Sequence, residues 1–152
     1  MTMITMDEAR ALITFAQTEA VKIGKPMTVV VVDTGGFVVC TDRMDGARPL
    51  TPSIAHAKAY TAAIMQRPTH MLKGWAESQP GFFAQIATMG HQPIVATDGG
   101  LTLKRDGEIL GGIGISGGFG HEDEEICLAA LNGLGYDTNF AQWNDLRQKP
   151  KG

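Results

Sequence analysis

Apolar residues at Ala9, Leu12, Ile13, Ala16, Ala20 and Ile23 recur at steps of three and four, the spacing of one helical face. They predict a helix over 5–23. Thr5, with Glu8 three residues on, supplies a capping box at its start, and Gly24 followed by Pro26 supplies the stop. The pattern then changes. MTVVVVD, Met27 to Asp33, is a β-branched run of strand length. Thr34-Gly35-Gly36 is turn chemistry, and FVVCTDR returns as a second strand. So short a loop excludes a parallel crossover, and the pair reads as an antiparallel hairpin.

A second helix is expected from about Pro52 to Gln66, with Thr51 or Ser53 near its cap and Pro68 beyond its end. Ala55, Ala59, Ala62 and Ala63 leave this helix free to pack closely. The segment from Thr69 to Gly90 has no sustained period and allows one or two short helical turns. Pro93–Thr97, PIVAT, is a candidate short strand. Leu101–Lys104 and Ile109–Ser116 form a second hairpin turning at Arg105-Asp106-Gly107. A last helix runs from about Glu122 to Leu134, and the residues after Gly135 are a polar tail holding Phe140 and Trp143. About five strands, mostly hairpin-paired, with helices to cover them, make an α+β domain over 1–135 and a tail over 136–152.

With 152 residues the chain can bury a core without staples. A net charge of −3 with no basic cluster argues against nucleic acid and anionic membranes as partners. No apolar run reaches about 18 residues, and no export signal is visible, so the expected location is the cytoplasm. Cys40 and Cys127 have neither zinc nor redox spacing and read as small buried hydrophobes. The opening MTMIT resembles the leader of a cloning-vector reporter gene and is left out of the fold reading.

Gly112, Gly114 and Gly117 spell G-x-G-x-x-G. A dinucleotide site needs those glycines in the turn between a strand and a helix. Here Gly112 and Gly114 fall inside a strand, with Ile109, Ile113 and Ile115 on the opposite face. The next helix opens on Glu122-Asp123-Glu124-Glu125, which repels phosphate. The glycines therefore mark a close approach to the backbone, by a helix, a partner subunit or a flat ligand.

VVVVDTGGFVVCTDRMDGA, SIAHAKAYTAA and DGGLTLKRDGEILGGIGISG, in that order and followed by Asp123, resemble the GlcG/HbpS-like family over about Thr5 to Leu134. The chain departs in having Gly99-Gly100-Leu101-Thr102 where the family often has Gly-Gly-x-Pro. The resemblance implies a profilin-like α+β fold with an antiparallel sheet flanked by helices. It implies homo-oligomers, dimers or larger. It also implies a small ligand, since some members bind haem or a corrinoid and others sit in catabolic operons.

Candidate chemistry follows. His56, on the second helix, is either a proximal ligand for haem iron or a surface helix histidine. His121, after the flexible GGFG, is a second ligand or an acid–base group, or a surface residue of the first turn. His70 and His91 are weaker pocket candidates. Arg43 offers a planar fork for a carboxylate, and Lys58 a point charge or, if desolvated, a base. The alternative is an Arg43–Asp45 pair pinning the loop while Lys58 covers apolar surface. Asp33 reads as a turn cap and Asp123 as a helix-start stabiliser. Trp75, Phe82, Phe83 and Met89 are a possible ligand wall or core.

The expected site thus lies between the strand bearing Gly112 and Gly114, the Lys58 helix and the RMDGA loop. It would take haem, another tetrapyrrole or a planar organic acid. The alternative is a cofactor-independent isomerase or lyase acting on a small aromatic or hydroxy acid, with Arg43, Lys58 and His121 as its groups. A third possibility is an assembly protein that uses its sheet edge and tail for contacts.

Overall fold

The computed structural model describes residues 3–140. Helix α1 spans Met6–Lys22, strand β1 Thr28–Val32 and strand β2 Val38–Arg43. Helix α2 spans Thr51–Ile64. A 3-10 turn at Thr69–Leu72 leads into two short helices, α3 at Lys73–Ser78 and α4 at Pro80–Ile86. Strands β3, Gly100–Arg105, and β4, Glu108–Ser116, precede helix α5 at Gly120–Gly133. The sheet has four strands in the order β2-β1-β4-β3, and every neighbouring pair is antiparallel. The α+β reading holds, but the fifth strand does not. Pro93–Thr97 pairs with no strand, because Val95 N–H donates to the Thr61 hydroxyl of α2 and Ile94 N–H to the Ala87 carbonyl.

The start of α1 is built as its sequence demands. Glu8 N–H donates to Thr5 Oγ1 at 3.1 Å, and Thr5 N–H donates back to the Glu8 carboxylate at 3.2 Å. Gly24, at φ 68°, ends the helix in the left-handed region. Thr5→Ala is expected to lower stability by about 1 kcal/mol, read as a shifted urea midpoint with an unchanged slope. Ile4 is buried in the core and its N–H donates to the Leu110 carbonyl, so residues 4 and 5 belong to the fold.

Alternation along β1 builds two cores. Val29 and Val31 face α1 and α5, meeting Leu12, Ile13, Ile126 and Leu131. Val30 and Val32 face α2, meeting Ala55, Ala59 and Ala63. The central strand is thus buried on both faces, which explains its unbroken valine run. In β4 the ladder shifts register opposite Leu103 and Lys104. One extra residue there exchanges faces, so Leu110 rather than Ile109 joins Ile113 and Ile115 in the first core. Past α5, Tyr136 and Phe140 are also buried against this core. Trp143 lies outside the described residues.

Candidate functional site

The glycine-lined face of β4 is occupied by the protein itself. A Cβ on Gly112 would collide with the Ala59 carbonyl oxygen, and one on Gly114 with the Ala55 carbonyl oxygen and, at 2.5 Å, the Ala59 nitrogen. Helix α2 therefore lies flush on the sheet, and Gly112 and Gly114 do not line a ligand pocket. The glycines admit a helix, one of the three occupants their spacing allowed.

Lys58 is corrected for the same reason. Its ammonium is buried, donating to the Ile115 carbonyl at 2.8 Å and to Asp123 at 3.1 Å. Asp123 also accepts from Gly118 N–H at 2.9 Å. Burial pushes the Asp123 carboxyl above its ordinary range, against the Lys58 ammonium and the Gly118 N–H, which pull it down. This buried pair ties α2 and α5 to the end of β4. Asp123 does more than stabilise a helix start, and Lys58 presents no charge to a ligand.

Arg43 pins its loop, but not through Asp45. Its Nε and Nη2 donate to the Ala47 carbonyl at 3.3 and 3.1 Å. The isomerase or lyase alternative thereby loses its carboxylate fork and its lysine base together. Asp33 does cap its turn, accepting from Gly35 N–H at 2.9 Å and Phe37 N–H at 3.1 Å. Cys127 is buried, and burial pushes its thiol well up, which makes it inert. Cys40 is only half-buried and receives an N–H from Arg10.

The histidines are dispersed. His56 lines a shallow depression of about 390 Å³ with Val30, Val38, Thr41, Ser53 and Gln92, where β2 projects past α2. His91 stacks on Phe37 at 4.3 Å, and its Nε2–H donates to the Gly35 carbonyl oxygen at 3.0 Å. His70 pairs with Glu124 at 2.8 Å, and that hydrogen bond raises its imidazole above the usual range. His121 is exposed, its ring stacked at 6.1 Å on Phe119. Trp75 packs edge-on to Phe83 at 5.5 Å, and both lie against the Tyr60, Leu72 and Ile94 cluster. Phe82 and Met89 stay exposed.

A cleft does open beside the RMDGA loop. Two depressions, of about 390 and 360 Å³, meet at Arg48, Gly117 and Gly118. Leu50 and Ile54 wall one side, Lys25 and Phe119 the other. Lys25 pairs with Glu122 and sits over the Phe119 ring at 4.1 Å. Only the Arg48 backbone carbonyl is engaged, by Thr51. Among the described residues its guanidinium has no hydrogen-bond or ion-pair partner. Arg48 is the residue that sequence reasoning passed over. Its signal was its place after Asp45-Gly46, facing the GGFG loop, and Arg43 drew the attention instead.

The same arrangement of segments recurs in known proteins. Residues 4–132 match the family model described as haem degrading protein HbpS-like. The chain belongs to the HbpS-like family. One HbpS-like relative is an uncharacterized 15.0 kDa protein from the dhaT-dhaS intergenic region of Citrobacter freundii, 30% identical over 129 residues, which are 85% of this chain and 90% of that protein. Protein GlcG of Escherichia coli K12 is 31% identical over 113 residues, 74% of this chain and 81% of that one. Among solved structures, the PduOC:heme complex superposes with a TM-score of 0.82 at 28% identity, covering 90% of this chain and 99% of that one. As an HbpS-like chain it has no described helix long and apolar enough to cross a membrane.

Proposed function

We propose that this HbpS-like protein binds haem or a related tetrapyrrole, with the Arg48 cleft as the ligand's carboxylate end. The observation that carries the reading is the unpaired Arg48 guanidinium between exposed apolar side chains, Leu50 at 64% and Phe119 at 67% exposure. A buried-edge carboxylate suits that fork, and a flat apolar ring suits those walls. The heme complex of PduOC supports the ligand class. His121, exposed beside Phe119, is the axial nitrogen nearest to hand in sequence and loop; His56, in the other depression, is the alternative.

Neither depression is large enough to enclose a macrocycle, since both sit near the lower bound for small-molecule sites, about 300 Å³. A second copy of the chain covers the ligand's other face in this reading, giving a homo-oligomer.

Titration of the purified chain with hemin tests it. A saturable Soret change is expected, weakened about 10- to 100-fold by Arg48→Ala, the worth of one charge-assisted contact. His121→Ala should alter the Soret position while His56→Ala leaves it unmoved; the reverse would transfer ligation to His56. Unsaturable binding in the unsubstituted chain removes the function.

A further inference from the structure

His70, Asp98 and Glu124 come from three separate segments: the 3-10 turn, the loop before β3 and the first turns of α5. Each offers one ligand atom, and the three atoms lie within 4.8 Å of one another. Among the described residues no other group of His, Cys, Asp and Glu side chains meets so closely. All three are half-buried, so the side chains are partly held yet reachable from solvent.

We infer that these three side chains form a binding site for a divalent transition-metal ion. One imidazole nitrogen and two carboxylate oxygens are the donor set that zinc and its neighbours accept, leaving a position for water. Tetrahedral zinc bonds of about 2.0–2.2 Å set donors about 3.3–3.6 Å apart, so atoms now within 4.8 Å of one another close on the ion with about an ångström of side-chain movement.

The backbones carrying the ligands are locked together. Thr69, next to His70, exchanges hydrogen bonds with Gly100: its hydroxyl receives the Gly100 N–H at 3.0 Å and lies 3.3 Å from the Gly100 carbonyl. Gly99, next to Asp98, accepts from Ile115 N–H at 2.9 Å. The α5 end is tied to the same residue through Asp123 and Lys58, whose ammonium reaches the Ile115 carbonyl. Three segments thus converge on the end of β4, and such support from outside the ligand shell tightens a metal site. Gly120 keeps the approach open, since a Cβ there would lie 3.1 Å from Asp98 Oδ2. Lys73, half-exposed, now places its ammonium 2.6 Å from Asp98 Oδ1, and an arriving metal ion would displace it.

The site is separate from the Arg48 cleft and stands or falls independently of haem binding. Calorimetric titration of chelator-stripped protein with Zn2+ should give one ion per chain. Co2+ should give visible ligand-field bands. His70→Gln, Asp98→Asn and Glu124→Gln should each weaken Zn2+ at least about tenfold, while leaving hemin titration unchanged. Lys73→Gln, which keeps all three ligands, should tighten binding roughly two- to fivefold by removing the competing charge. Circular dichroism confirms that each variant is folded. Absence of saturable Zn2+ binding overturns the site, as does unchanged affinity in any one of the three ligand variants or a weakened Lys73→Gln.

Discussion

Gly114→Ala should lower stability by about 3 kcal/mol, a fall of roughly 6–12 °C in melting temperature for a chain of this size. One methyl group is normally a minor addition. Here its neighbours are main-chain atoms of α2, the Ala55 carbonyl and the Ala59 nitrogen, which no rotamer change can move aside. The helix as a whole must lift from β4, and the cluster of Val30 and Val32 with Ala55, Ala59 and Ala63 opens with it. Gly74→Ala is the matched comparison. Gly74 lies in α3 with nothing within 4 Å of a built Cβ, and alanine there should be neutral or stabilising by up to about 1 kcal/mol. Paired urea or thermal melts check both. Equal effects at the two positions would show that α2 does not rest on the β4 backbone.

Lys58→Met should cost about 3–5 kcal/mol, because it strands the Asp123 carboxylate in the interior. Asp123→Asn in the same chain removes the orphaned charge and keeps an acceptor for Gly118 N–H, so the double variant should recover much of the loss. Equilibrium unfolding of both single variants and the double variant measures the coupling. The pH dependence has a definite sign. A buried carboxyl raised above its unfolded value takes up a proton in the folded chain before the unfolded chain does. The deficit of Lys58→Met should therefore shrink as the pH falls toward the carboxylate range and be greatest near neutrality. A deficit that grows in acid would mean that Asp123 is not the stranded group.

Local rules made the elements legible. Thr5, Glu8 and Gly24 bound α1, and Asp106-Gly107 turns the second hairpin with φ of 52° and 79°. The strand placement of Gly112 and Gly114 was legible too, and it excluded a nucleotide loop. What covers that face was not, because a bare backbone is equally open to a helix or a flat ring. The alanines of α2 were the clue: a helix presenting Ala55, Ala59 and Ala63 at four-residue steps is the counterpart of a glycine-lined strand.

The site was harder for a related reason. Lys58 and Arg43 look like ligand-binding cations in isolation, but their partners, Ile115, Asp123 and Ala47, include backbone carbonyls that carry no residue-type signal. Pro93–Thr97 misled as a strand because the N–H groups of its β-branched Ile94 and Val95 go to the Ala87 carbonyl, just past α4, and to the Thr61 hydroxyl rather than to a sheet edge.

Near the two ends of the described chain, residues bind one hairpin. Ile4 N–H reaches the Leu110 carbonyl on β4, and Asp137 N–H reaches the Lys104 carbonyl on β3, whose ladder partner is Ile109. These contacts sit on neighbouring rungs, so neither end can detach without loosening the other's support. Amide exchange at Ile4 and Asp137 is then expected to follow one shared opening rather than two separate frayings.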